Sequence, residues 1–141
     1  VSDFYVDLKV ANGYPRALKL MSAGLARCLS KDTTCVAALG YGGIPLATAI
    51  ALKNDLKLAL IRKEPRKHGS KKLIEGYVPN RKDEIVIIDD VLMTGGSIKK
   101  AMAVIKKTGA KVKKCLVVVN RSPDKKFPFS VGYLIRAEDL F

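Results

Sequence analysis

Apolar and polar positions alternate between two rhythms along this chain. Leu18, Met21, Leu25 and Cys28 recur at three- and four-residue steps behind Pro15, which predicts a helix over residues 15–29. Residues 34–39 form a short apolar run, broken by Gly40-Tyr41-Gly42-Gly43, and read as a buried strand. Residues 45–53, rich in Ala and Leu, predict a second helix, and residues 57–61 another strand. Residues 84–88 are a largely β-branched run that ends in Asp89-Asp90. Ile98, Ala101, Met102 and Ile105 share one face of a helix over 97–108, with Ser97 placed to cap its start and Gly109 just beyond its end. Residues 112–120 make a further strand, apolar throughout from Leu116 to Val119.

Apolar runs without alternation mark strands covered on both faces. Strands that alternate with helices predict an α/β fold with a doubly wound parallel sheet. In such sheets ligands bind in the loops after the carboxyl ends of the strands. Three stretches meet that rule: residues 40–43, 89–97 and 120–122. Residues 62–83 stand apart as a long, basic stretch with Pro65, Gly69, Gly76 and Pro79. A connection of that length suggests a lid or binding loop, with room for a short hairpin. No repeat or low-complexity tract interrupts the 141 residues, which read as a single domain.

Composition narrows the partners. The net charge of +13 favours anionic ligands such as nucleic acid, a membrane surface or phosphorylated small molecules, although pairs such as Lys99-Lys100, Lys106-Lys107 and Lys125-Lys126 also suit solvated helix faces and turns. The cysteines Cys28, Cys35 and Cys115 form no Cys-x-x-Cys pair, and His68 is the sole histidine. A disulfide framework or zinc site is therefore not expected. With no apolar run long enough to span a bilayer and no signal-peptide pattern at Val1, the expected setting is the cytoplasm.

The densest chemistry lies in Asp89-Asp90-Val91-Leu92-Met93-Thr94-Gly95-Gly96-Ser97. A buried strand delivers two carboxylates, small residues follow, and a helix begins. Backbone amides of residues 94–97 can wrap a phosphate, helped by the helix dipole, while Thr94 and Ser97 add hydroxyl donors. Carboxylates accept hydrogen bonds from vicinal sugar hydroxyls and can hold the water shell of Mg²⁺. Strand, acidic pair and phosphate loop in that order describe a sugar phosphate.

This segment closely resembles the diphosphate-sugar signature of the type I phosphoribosyltransferases. The resemblance implies transfer of a 5-phosphoribosyl group from phosphoribosyl diphosphate to a nitrogenous base, with Mg²⁺ as cofactor. A second stretch, Arg62-Lys63-Glu64-Pro65-Arg66-Lys67-His68-Gly69 followed by Leu73-Ile74-Glu75-Gly76, is similar to the mobile catalytic loop of the orotate enzymes, here about residues 62–76. A closing loop of cations would stabilise the charge that grows on a departing diphosphate. Phe4-Tyr5-Val6-Asp7-Leu8-Lys9 resembles the family's N-terminal segment, part of a small hood region, and the 40–43 loop resembles its diphosphate loop.

From the resemblance, Arg66, His68 and Asp89 are the expected catalytic residues. Arg62, Lys63, Arg66, Lys67, His68, Tyr41, Gly42 and residues 89–97 are the expected donor-binding set. Met93 and Arg121 are expected at orotate, Arg121 because a planar guanidinium grips a carboxylate with two bonds. No side chain is expected to bind metal directly; Mg²⁺ would be held through substrate and waters near Asp89 and Asp90. A homodimer with a loop shared across the interface is the expected assembly. The chain departs from the family pattern with Arg66 for lysine, Met93 for threonine, Gly42 for lysine and Asn120 for aspartate, and the family's N-terminal helix would lie before Val1.

Two other functions fit parts of this pattern. A sibling enzyme acting on a purine or another base is compatible with Met93. A regulator that binds nucleic acid on the same fold would suit the charge, but the chain carries no added DNA-binding module and no strand face of aromatic and basic residues.

Overall fold

The computed structural model describes residues 7–140, so Phe4-Tyr5-Val6 of the N-terminal motif lie outside the described residues. A short helix α1 (Leu8–Ala11) leads into α2 (Pro15–Ala26), β1 (Cys35–Leu39), α3 (Ile44–Asn54) and β2 (Lys57–Ile61). Then come β3 (Ile74–Gly76), β4 (Glu84–Leu92), α4 (Gly96–Lys106), β5 (Lys111–Asn120), β6 (Ser130–Arg136) and a closing 3₁₀ turn (Ala137–Leu140). The six strands form one sheet in the order β3-β2-β1-β4-β5-β6. All neighbours are parallel except β3, which runs antiparallel to β2.

Both sheet faces are covered, which explains the unbroken apolar runs. Cys35, Ala37, Ile85, Ile87, Cys115 and Val117 point to one face, where Ile98, Ala101 and Ile105 of α4 close over them. Val36, Ala38, Val86, Ile88, Leu116 and Val118 point to the other, against Leu25 of α2 and Leu46, Ala47 and Ile50 of α3. The helix and strand periodicities therefore meet in two buried layers of a doubly wound sheet.

Several boundaries differ from the sequence reading. The helix predicted over 15–29 ends at Ala26. Strand β4 continues through the acidic pair to Leu92, because Asp89, Val91 and Leu92 stay in register with β5. Ser97 does not cap α4: the helix starts at Gly96, behind Gly95 in the left-handed conformation, and no side chain caps it. The 62–83 stretch forms no hairpin of its own: it holds the single strand β3, which pairs antiparallel with β2 before it. Strand β6 was not expected; it is an edge strand with several exposed residues and lacks a dense apolar run.

Candidate active site

The carboxyl ends of β1, β4 and β5 bring three loops around a cavity of about 900 Å³. Tyr41 and Gly42 line it from the loop after β1, Asp89, Asp90, Val91, Met93 and Ser97 from β4 and the turn beyond, and Arg121 from the end of β5. Arg62, Lys63 and Lys67 line it from the segment after β2. A smaller hollow of about 200 Å³, lined by Asp89 and residues 91–98, sits over the start of α4.

Two acidic groups at consecutive positions of a buried strand create an electrostatic problem. Asp89 accepts a hydrogen bond from the Asp90 amide at 2.8 Å, and Asp90 accepts one from the Val91 amide at 2.9 Å. Burial raises the Asp89 carboxyl to about 7, and its hydrogen bond and repulsion with Asp90 push the same way. The Asp90 amide and nearby Lys9 act in the opposite direction. Lys9, from α1, lies 3.8 Å from Asp90. The pair is thus held at the cavity wall with less than full charge, ready for hydroxyl donors or a cation.

The turn after β4 has the shape an anion needs. Gly95 adopts φ +83°, a conformation that disfavours side chains, and it lets the backbone swing from strand to helix. The Gly96 amide donates to Thr94 Oγ1 at 3.3 Å, and the amides that follow it at the start of α4 have no partner within the helix, the usual setting for an anion. The turn is braced by the segment after β5. The Arg121 amide donates to the Leu92 carbonyl at 2.9 Å, and Ser122 Oγ to the Met93 carbonyl at 2.8 Å. Lys125 Nζ lies 3.4 Å from the Thr94 carbonyl and 5.3 Å above the Phe127 ring, which stacks on Phe129. Arg121 also approaches the Met93 sulfur at 3.7 Å, so the two residues expected at a base lie side by side.

The basic loop divides. Arg62, Lys63 and Lys67 reach the cavity wall, while Arg66 turns to Glu75 of β3, 2.7 Å away, and Arg62 lies 4.0 Å from the same carboxylate. Neither Arg66 nor His68 lines the cavity in this arrangement. The structure therefore gathers Asp89, Asp90, Met93, Ser97, Arg121 and three loop cations, but leaves two of the three expected catalytic residues outside. Lys9, Glu75, Ser122, Lys125 and Phe127 were missed as site-supporting residues. Lys9 and Glu75 sit within quoted motifs and Ser122 within the 120–122 loop, but Lys125 and Phe127 carry no local signal, because they meet Thr94 and Gly95 from about thirty positions away.

Among the described residues, no three His, Cys, Asp or Glu side chains converge as a metal site. No helix among them is long and apolar enough to cross a membrane.

Comparison with known proteins agrees with this geometry. Residues 16–132 match the phosphoribosyl transferase domain family. The chain is 36% identical to the orotate phosphoribosyltransferase of Pyrococcus abyssi, over 99% of this chain and 81% of that protein. It is 38% identical to that of Methanocaldococcus jannaschii, over 85% and 68%. The crystal structure of orotate phosphoribosyltransferase from Aeropyrum pernix superposes with a TM-score of 0.83 at 25% identity, covering 99% of this chain and 82% of that one. A strand-borne acidic pair, a glycine turn into a helix and similarity across nearly all of this chain lead to one conclusion: the chain belongs to the phosphoribosyltransferase family, alongside its orotate phosphoribosyltransferases.

Proposed function

We propose that the protein transfers the 5-phosphoribosyl group of phosphoribosyl diphosphate to orotate, giving orotidine 5′-monophosphate and diphosphate in pyrimidine synthesis. The observation that carries this reading is that Asp89, Asp90, Met93 and Ser97 line one cavity together with Arg62, Lys63 and Lys67, while residues 94–96 line the smaller hollow that shares Asp89, Met93 and Ser97 with it. The acidic pair accepts hydrogen bonds from the ribose hydroxyls. Amides and hydroxyls of residues 94–97 hold the 5-phosphate. The bond from the anomeric carbon to diphosphate breaks as a ring nitrogen of orotate bonds to that carbon; the leaving group takes the electron pair, and the proton of that nitrogen is released to solvent or to the departing diphosphate. Cations of the 62–76 loop stabilise that growing charge, with Arg66 and His68 joining on closure. Arg121 holds the orotate carboxylate, with Met93 beside the ring.

Mg²⁺ fits this donor set: two carboxylates at consecutive positions offer hard oxygen donors, and a divalent cation would offset the repulsion that, after burial and the hydrogen bond with Asp90, adds to the rise of the Asp89 carboxyl. Asp89 and Asp90 would hold it through waters and substrate, and it would neutralise diphosphate charge. A single domain acting as a homodimer in the cytoplasm suits the long basic loop, the exposed Leu20 and Leu52 side chains on α2 and α3, and three free cysteines.

The deciding experiment incubates the protein with Mg²⁺, phosphoribosyl diphosphate and each of orotate, uracil, adenine, guanine and hypoxanthine, and measures diphosphate release. Release with orotate alone is the expected result. Release only with a purine would move the protein to a sibling activity, and no release with any base would end the transferase reading.

A further inference from the structure

Helix α1 brings a lysine into the cavity that the phosphate turn, the acidic pair and the basic loop do not account for. Asn12, at the end of α1, donates from its side-chain amide to the Gly42 carbonyl at 3.1 Å, which ties the helix to the loop after β1. Lys9, on the same short helix, then sets its ammonium 3.8 Å from Asp90 Oδ2. Gly42 lies against the same carboxylate. A Cβ at position 42 would overlap the Asp90 carboxylate and push it from the place where Lys9 reaches it. Lys9, Gly42 and Asp90 share the wall of one cavity.

An exposed ion pair is ordinarily worth little. This one differs in two respects. Asp90 is nearly buried while Lys9 is half exposed, and the exposed side of the pair is the cavity rather than open surface. An acidic pair is also a poor host for a polyanion, since each carboxylate repels incoming phosphate. A fixed ammonium beside the pair removes part of that repulsion and offers hydrogen-bond donors to the same ligand.

We infer that Lys9 is a substrate-binding residue of this site, meeting the sugar diphosphate as it enters while holding Asp90 in place, so that α1 belongs to the binding machinery. This rests on the transferase reading above. Asn12 is then a positioning residue that acts through α1.

Calorimetric titration with phosphoribosyl diphosphate at fixed Mg²⁺ tests it, alongside steady-state kinetics and thermal melting. Wild type is compared with Lys9→Met, Lys9→Arg, Asn12→Ala and a control, Lys19→Met, whose lysine is exposed on α2. Lys9→Met should weaken donor binding about tenfold or more, raising KM for the donor with kcat changed less than about threefold. Lys9→Arg should recover most of the affinity, and Asn12→Ala should show a smaller loss in the same direction. If Lys9→Met does not melt cooperatively, Lys9→Gln takes its place with the same expectation. Donor affinity in the Lys9 variants equal to that of Lys19→Met would overturn the inference and leave the transferase reading intact. No binding by wild type would overturn both.

Discussion

The Arg66 guanidinium rests 2.7 Å from the Glu75 carboxylate, on the strand that begins where the basic loop ends. The loop thus holds one of its own cations away from the cavity, and Glu75 balances charge that would otherwise repel within residues 62–68. Both side chains are partly exposed, so the pair contributes at most about 1 kcal/mol to stability. Glu75→Gln should leave the melting temperature nearly unchanged and speed tryptic cleavage between Lys63 and Lys72 in ligand-free protein. Arg66→Ala should lower kcat by about 10²–10³, the scale for one transition-state donor, with a smaller change in KM. Wild-type kcat in Arg66→Ala would mean that Arg66 serves only its pairing with Glu75.

Asp89 sets a pH dependence of known sign. Its folded-state carboxyl is raised from 3.8 to about 7 by burial and then by Asp90. The protonated form is favoured in the folded protein, so this contribution to stability is complete below about pH 4 and is lost as pH rises through 7. Donor-free wild type should therefore show a falling contribution from Asp89 between those limits. Asp89→Asn, neutral throughout, should melt higher than wild type at pH 8 and lose most of its activity. Melting curves from pH 4 to 8 check the first outcome, and diphosphate release checks the second.

Arg121 and Met93 lie together at the cavity wall. Arg121→Ala should raise KM for orotate by about tenfold to a hundredfold, the cost of one lost charged contact, and leave KM for the donor within about twofold. Met93→Thr should alter orotate KM more than donor KM. Initial rates with each substrate varied in turn separate the two effects.

Gly95 joins β4 to α4 at φ +83°, and a Cβ there would stand 2.8 Å from the Phe127 ring. Gly95→Ala should destabilise the protein by about 1–2 kcal/mol from the left-handed backbone alone. It should also raise the donor KM, because the turn that faces the phosphate must shift. Adding Phe127→Ala should relieve the ring contact and restore only part of either loss. Denaturant unfolding and donor titration on the single and double variants check this.

A buried network opposite the site offers a test of the fold alone. Asp83 accepts hydrogen bonds from Tyr77 at 2.6 Å, Thr34 at 2.7 Å and the Asn80 amide at 3.0 Å. Burial raises its carboxyl, but these bonds, led by that from Tyr77, outweigh burial and hold it below the usual aspartate range. That stability is present above about pH 4 and is lost as pH falls further. Tyr77→Phe should cost about 1–2 kcal/mol at pH 7 and less at pH 3, with unchanged KM for either substrate.

The layered sheet and the acidic pair with its turn can be read from the order of residues alone. The apolar runs around Val36, Val86 and Val117 could be satisfied only by strands covered on both sides, and the order Asp89-Asp90, then small residues, then a helix is a local pattern that needs no distant partner. The turn from β4 into α4 was legible for that reason, even though its helix begins at Gly96 without the expected Ser97 cap. The pairing of charges far apart in the chain emerges only on folding. Lys9 reaches Asp90 across 81 positions, and Ser122 and Lys125 return to brace residues 93 and 94 from the segment after β5. Arg66 looks in sequence like its neighbours Arg62, Lys63 and Lys67, yet it pairs closely with Glu75 at 2.7 Å and does not line the cavity, whereas Arg62, 4.0 Å from the same carboxylate, and the two lysines do. Side-chain direction depends on which oppositely charged group lies within a few ångströms, and that distance exists only once the strands have paired.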